Sequence, residues 1–452
     1  MKTVVRQLPF YKKAADIFPR YAQEEKAVFL DSSLHSDLGR YSILCLNPYL
    51  TITEEDGVCY QNRIPQDESF ESIMSRYLEE HREENPTCLP LISGAVGYLT
   101  YDYGRKFEHI ATRHPKKLQI PDAQFVFYDN YLIEDTQEQR LWLTAKGELQ
   151  DPQSSIAQIQ RQIGNCPTAP LPARHSQSSH FTPNFQKEEY KQAIHRMISY
   201  ITEGDIYIAN MTQQLQVDSP IDPYEAFAYL RTYNPSPFGG YLNYGDFQIV
   251  CSSPERFLQV RDGQIETRPI KGTRKRGDTP QEDAALRQEL ADSSKDHSEL
   301  LMIVDLERND LNHVCIPGSV KVTENFSVET YATVFHLVST IVGTLKPSLG
   351  IMDLIRAAFP GGSITGAPKI RAMEIIDELE HDRRNLYTGS IGYLSLDGSC
   401  DLNIVIRTAI HQNGHYYLGV GGGITCESDL EFEFEETLQK AKAVLEALHK
   451  TV

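Results

Sequence analysis

Gly389-Ser390-Ile391-Gly392-Tyr393-Leu394-Ser395-Leu396 reads as a β-strand. Two more strand-like runs follow, Asp401–Ala409 and His415–Gly421, and then a helix over about Leu430–His449. Strand periodicity on Asp401–Ala409 turns Leu402, Ile404 and Ile406 one way and Asn403, Val405 and Arg407 the other. Arg407 is then a bidentate partner for a carboxylate if that second face lines a cleft. On the helix, Leu430, Phe434, Leu438, Ala441, Leu445 and Leu448 make an apolar stripe. Glu433, Glu436 and Lys440 share a different face at i, i+3 and i+7. Two carboxylates one turn apart suit either a solvated face or a hard divalent cation such as Mg²⁺. Between strand and helix, Gly419-Val420-Gly421-Gly422-Gly423 exposes backbone N–H groups to a carboxylate or phosphate. No G-x-x-x-x-G-K-[ST] accompanies it, so a nucleotide site is not indicated.

Working outward, residues 1–145 alternate short strands with loops, among them Ala27–Leu30, Arg40–Leu44 and Gly94–Leu99. The glycines of the last suit a closely packed strand. A Pro-, Ser- and Gln-rich stretch from Cys166 reads as a linker. The expected organisation is an N-terminal subdomain over 1–165, a linker over 166–184 and a second region over 185–452. Helical spacing begins at Lys187 and stops at Gly204. Pro280 opens another helical stretch that runs into Leu300–Val304, with Glu299 beside the apolar run. Ala367-Pro368-Lys369 starts a helix with proline in its first turn.

One basic stretch interrupts the strands: Arg268-Pro269-Ile270-Lys271-Gly272-Thr273-Arg274-Lys275-Arg276. Lysine attacks carbon only as the neutral amine, and neighbouring positive charge or burial favours that form. Arg268, Arg274, Lys275 and Arg276 are therefore expected to act on Lys271. Glu255 sits in a turn between strands, and His336 in the apolar run Val334–Val338.

A formal net charge of −18 makes nucleic acid an unsuitable partner. No run reaches the roughly 18 apolar residues of a membrane helix, and the N-terminus lacks the apolar core of a signal peptide. Eight scattered cysteines with no C-x-x-C pair fit a reducing cytoplasm.

Several ordered blocks together resemble the chorismate-utilising enzymes: Ser253–Phe257, Arg268–Arg276, Met302–Asp310, Phe359–Lys369, Gly389–Tyr393 and Ile406–Thr408, completed by the glycine loop and the final helix. The resemblance is dense from about residue 185 onward. The expected architecture is α+β: two interleaved subdomains with mixed, largely antiparallel β-sheets and outer helices around a central cleft. The resemblance implies chorismate as substrate and Mg²⁺ held by Glu299, Glu433 and Glu436. It implies that Tyr393, Thr365, Arg407, Lys440 and the backbone of Gly421, Gly422 and Gly423 bind the substrate. His336 would lie against the ring.

Members that form anthranilate have alanine where this chain has Lys271. The stretch Pro269–Thr273 is instead similar to the branch that forms 4-amino-4-deoxychorismate on the way to p-aminobenzoate and folate. That implies Lys271 as covalent nucleophile and Glu255 as general acid, with ammonia from a separate glutamine amidotransferase subunit. Ile208 stands where relatives often carry Gln, or Lys in the water-using enzymes, which argues against isochorismate or salicylate synthesis. In relatives a tryptophan pocket lies near segments matched in part here by Ser32, Ser33, Tyr41, Ser42, Pro235 and Phe238. The rival readings are anthranilate formation and a non-catalytic regulatory protein that binds chorismate or tryptophan.

Overall fold

The computed structural model describes residues 2–34, 38–174, 177–331 and 334–449. Its frame is a branched β-sheet whose strand pairings are antiparallel throughout the described residues. One arm passes from Val4–Gln7 through Arg140–Ala145, Ala123–Asp135, Tyr41–Glu55 and Val28–Asp31. It continues through Phe238–Asn243, Phe247–Ser253, Thr408–Gln412 and His415–Ile424 to Ile208–Asp218. The other arm leaves Ala123–Asp135 through Gly94–Leu99, Ser390–Ser395, Cys400–Asn403, Arg256–Arg261 and Gln264–Thr267 to Val334–Thr344. There Ile270–Lys275 and Lys321–Thr330 pair with Val334–Thr344. The fold is thus α+β, and early and late segments interleave at two places: Val28–Asp31 against Phe238–Asn243, and Gly94–Leu99 against Ser390–Ser395.

Apolar residues on both faces explain why helices cover the sheet: Gly94–Leu99 and Ser390–Ser395 are buried at every position. Helix Lys187–Glu203 ends at Gly204, whose φ of 88° lies in the left-handed region that glycine enters freely. Helix Leu430–Ala447 is capped by Asp429, whose side chain accepts from the Phe432 N–H. Such a cap contributes about 1 kcal/mol.

Three local expectations need correction. The helical stretch from Pro280 is two helices, Pro280–Asp292 and Ser294–Val314. Ser293 separates them, and its side chain accepts from the Asp296 N–H. The strand read over Asp401–Ala409 is broken after Asn403 and resumes at Thr408. Arg407 sits in the break at φ 50°, so strand alternation does not set its direction. Pro368 is the N-cap of helix Lys369–Leu379 and precedes its first turn.

Candidate active site

The two arms enclose a cleft of about 600 Å³, within the usual range of small-molecule sites. Strand Ile270–Lys275 and its partner Val334–Thr344 supply Lys271 and His336. A register shift between Lys271 and Thr273, with Gly272 at φ 72°, bends this strand. Helix Ser294–Val314 brings Glu299, helix Leu430–Ala447 brings Glu433, Glu436 and Lys440, and the end of His415–Ile424 brings Gly421, Gly422 and Gly423. Glu255 and Arg407 close the inner end.

Lys271 Nζ donates to the Ser363 carbonyl at 3.0 Å. The charged groups set against it are Glu255 and Glu299. The basic neighbours expected to act on it are engaged elsewhere. Arg268 pairs with Glu329, Arg274 with Glu289 at 2.8 Å and Asp296 at 3.1 Å, and Arg276 with Asp283 at 2.7 Å. Lys275 lies 3.8 Å from Glu282. Glu282, Asp283, Glu289 and Asp296 come from the two helices that follow the strand and Glu329 from a strand further on, so each cation turns to a carboxylate and not to Lys271.

Glu255 is buried, and burial pushes its carboxyl up from the ordinary value. Ser363, Lys271, the Ile270 backbone and Lys440 oppose that shift. A raised carboxyl beside a reacting group is suited to proton donation. Burial, with Arg407 adding to it, holds His336 down at about 3. The imidazole is therefore neutral near pH 7, with the Thr273 hydroxyl 2.9 Å from Nδ1. Arg407 makes no side-chain hydrogen bond or ion pair among the described residues, although burial pushes its guanidinium down and only Glu255 opposes this. A cation desolvated without a protein partner is prepared for an anion.

Burial also raises Glu299, against Lys271 first and then Lys295, and raises Glu433, chiefly against the Ser428 hydroxyl. Lys295 stands 3.9 Å from Glu299 and 3.6 Å from Glu433, while Lys440 pairs with Glu436 at 2.8 Å. Among the described residues, no three carboxylate, His or Cys side chains converge as a ready cluster of metal ligands. The donor set is nonetheless all hard oxygen, and burial raises two of its members, which suits a divalent cation such as Mg²⁺. The glycine run expected as a loop is instead the end of strand His415–Ile424, paired with Asn210–Gln214, and side chains there would crowd the cleft. A Cβ at Gly422 would come within 2.7 Å of Glu436 Oε2, and one at Gly423 within 3.3 Å of Lys271 Nζ and 3.6 Å of Ile208 Cδ1.

Two expected substrate residues lie outside the cleft. Tyr393 faces a second cavity of about 90 Å³, shared with Ser32, Tyr41 and Phe238. Thr365 is buried, its hydroxyl donating to the Gly361 carbonyl. Of the other candidate tryptophan-pocket residues, Ser42 donates to Asp31, Ser33 to the Ser236 carbonyl, and Pro235 does not line the cavity. That cavity is small against the roughly 300–1,000 Å³ of ligand pockets.

Ser363, Lys295, Tyr387 and Asn210 line the cleft without having been singled out. Ser363 lies inside the Phe359–Lys369 block, and Lys295 precedes Glu299 by one helical turn. Tyr387 had no sequence signal. Asn210 Oδ1 is buried with no partner among the described residues.

A family model described as chorismate binding enzyme matches residues 26–446. The chain is 44% identical over 360 residues to aminodeoxychorismate synthase component 1 of Klebsiella aerogenes, covering 80% of this chain and 78% of that protein. It is 36% identical over 455 residues to the Bacillus subtilis protein of the same name, covering 98% and 96%. The crystal structure of anthranilate synthase component I from Streptococcus pneumoniae superposes with a TM-score of 0.82 at 32% identity, covering 91% of this chain and 93% of that one.

Proposed function

The chain belongs to the chorismate-binding enzyme family, and from that premise we propose that it aminates chorismate at C4, as component 1 of an aminodeoxychorismate synthase. The observation that carries this reading is Lys271. It projects into the cleft between Glu255 and Glu299, at the position where the resemblance implies alanine in anthranilate-forming members.

Arg407 and the N–H groups of Gly421–Gly423 orient the substrate carboxylates. The Lys271 amine attacks ring carbon 2, both ring double bonds shift by one position, and the C4 hydroxyl leaves as water with the proton of Glu255. Ammonia then adds at C4 and expels the lysine, and the proton it releases restores Glu255. Hydroxide is a poor leaving group, so the acid lowers that barrier, while the covalent amine divides one displacement into two. His336, being neutral, packs beside this path and transfers no proton. Glu299, Glu433 and Glu436 would hold Mg²⁺, whose positive charge would offset that of the substrate carboxylate. The ammonia would come from a glutamine amidotransferase subunit, in the cytoplasm.

Chorismate, ammonia and Mg²⁺ should yield 4-amino-4-deoxychorismate on chromatography, and p-aminobenzoate only when a separate lyase is added. Lys271→Ala should lose at least about 10³-fold in turnover, the scale of losing an activated nucleophile. Anthranilate fluorescence without a lyase, or full activity in Lys271→Ala, would overturn the proposal.

A further inference from the structure

Helix Ser294–Val314 turns three carboxylates onto its buried face: Glu299, Glu307 and Asp310. Glu299 opens onto the cleft, and Asp310 pairs with Lys369 at 2.6 Å. Glu307 has no ion pair among the described residues. Its hydrogen-bond partner is the Thr267 hydroxyl, 2.9 Å from Oε2, which also lies 2.7 Å from the Phe257 carbonyl. A hydroxyl has one hydrogen and a carbonyl can only accept. With Thr267 donating to Phe257, the Glu307 contact needs a hydrogen on the carboxyl. Burial pushes Glu307 up to about 8, with Glu255 and Asp310 adding to the shift and Lys369 opposing it; Thr267 opposes it only in so far as its hydroxyl donates to the carboxylate, and the Phe257 carbonyl competes for that hydrogen.

The same side chain backs the loop that serves Glu255. A Cβ at Gly362 would lie 3.3 Å from Glu307 Cγ. The next residue, Ser363, hydrogen-bonds Glu255 and accepts from Lys271. When Glu255 gives up its proton it leaves a carboxylate behind. Beside an ionised Glu307 that would put two like charges in one dry space, which opposes the donation. Building on the amination reading above, we propose that Glu307 is a positioning residue: it keeps its proton while Glu255 donates, and loss of that proton sets the alkaline limit of turnover.

The test pairs two measurements on wild type and Glu307→Gln, whose amide can still donate to Thr267. Infrared titration of the free protein should show a protonated-carboxyl band lost with a midpoint near pH 8, and the variant should lack it. At constant free ammonia, wild-type turnover should fall about tenfold per pH unit above that midpoint. The variant should stay within about threefold of wild type at pH 7, and its alkaline fall should move to the midpoint of Glu255 alone. Glu307→Met, apolar and similar in length, should show the same displaced fall and keeps the test open if the amide perturbs folding. A band common to wild type and both variants, or coincident pH profiles, overturns the proposal. If none of the proteins turns over chorismate and ammonia while the band behaves as expected, the amination reading fails and the positioning role goes with it.

Discussion

Replacing Glu380 with alanine tests the joint that holds two walls of the cleft together. Arg384 and Glu380 are 1% and 4% exposed and meet at 2.7 Å. The guanidinium also donates to the carbonyls of Ile364 at 2.7 Å and Asn210 at 2.6 Å, both cleft-lining residues. Glu380 accepts from the Thr212 N–H at 2.9 Å and from its hydroxyl at 2.8 Å. Glu380→Ala therefore leaves a charge uncompensated in dry space, at a cost of about 3–5 kcal/mol. The orphaned Thr212 N–H adds on the order of 1 kcal/mol. Unfolding entropy of about 2.1 cal/mol/K per residue gives roughly 1 kcal/mol/K for a chain this long. The melting temperature should then drop by about 4–6 °C, with a matching fall in the urea midpoint. Turnover at 25 °C should fall too, because Ile364 and Asn210 lose their common anchor. Glu380→Met combined with Arg384→Met should recover part of the loss, since an apolar pair carries no unpaired charge. A single-variant loss below about 1 kcal/mol, or a double variant less stable than Glu380→Ala, would refute the argument that this pair is desolvated and coupled.

Gly423→Ala sets a methyl 3.3 Å from Lys271 Nζ and 3.7 Å from Glu299 Oε2. Turnover should fall by about 10–100-fold with the melting temperature unchanged, and near-normal kcat would show that the glycine is not needed for close approach. His336 is held down at about 3 from an ordinary 6.5. A depressed group contributes stability that is complete above its unfolded value and lost as pH falls toward the folded one. His336→Gln should therefore flatten the decline in melting temperature between pH 6.5 and 3. An acid limb identical to wild type would contradict this.

Much of the cleft was legible in the sequence because its residues sit in compact, ordered blocks. Lys271, Glu255, Glu299, Glu433, Glu436 and Lys440 line one cavity as expected. What escaped depended on geometry that no local pattern carries. Tyr393 belongs to a block next to the site, yet its side chain points into the second cavity. Arg407 reaches the cleft only because the backbone leaves the strand at a left-handed φ. The cations around Lys271 looked like its electrostatic partners until the folded chain matched each with a carboxylate from elsewhere. Glu307 lay inside a quoted block, but nothing in its spacing said that it would be buried opposite a hydroxyl.

The pairing of Gly94–Leu99 with Ser390–Ser395 also constrains how the protein is made. About 290 residues separate these partners. At the usual 5–20 residues per second, a strand already outside the ribosome waits roughly 15–60 s for its neighbour. Through that interval an apolar edge from the first quarter of the chain stands open, ready to pair with another nascent copy. Deletion of the final sixty residues should strand both arms, and newly made truncated chains should appear in aggregates or on chaperones, not as a shorter folded domain.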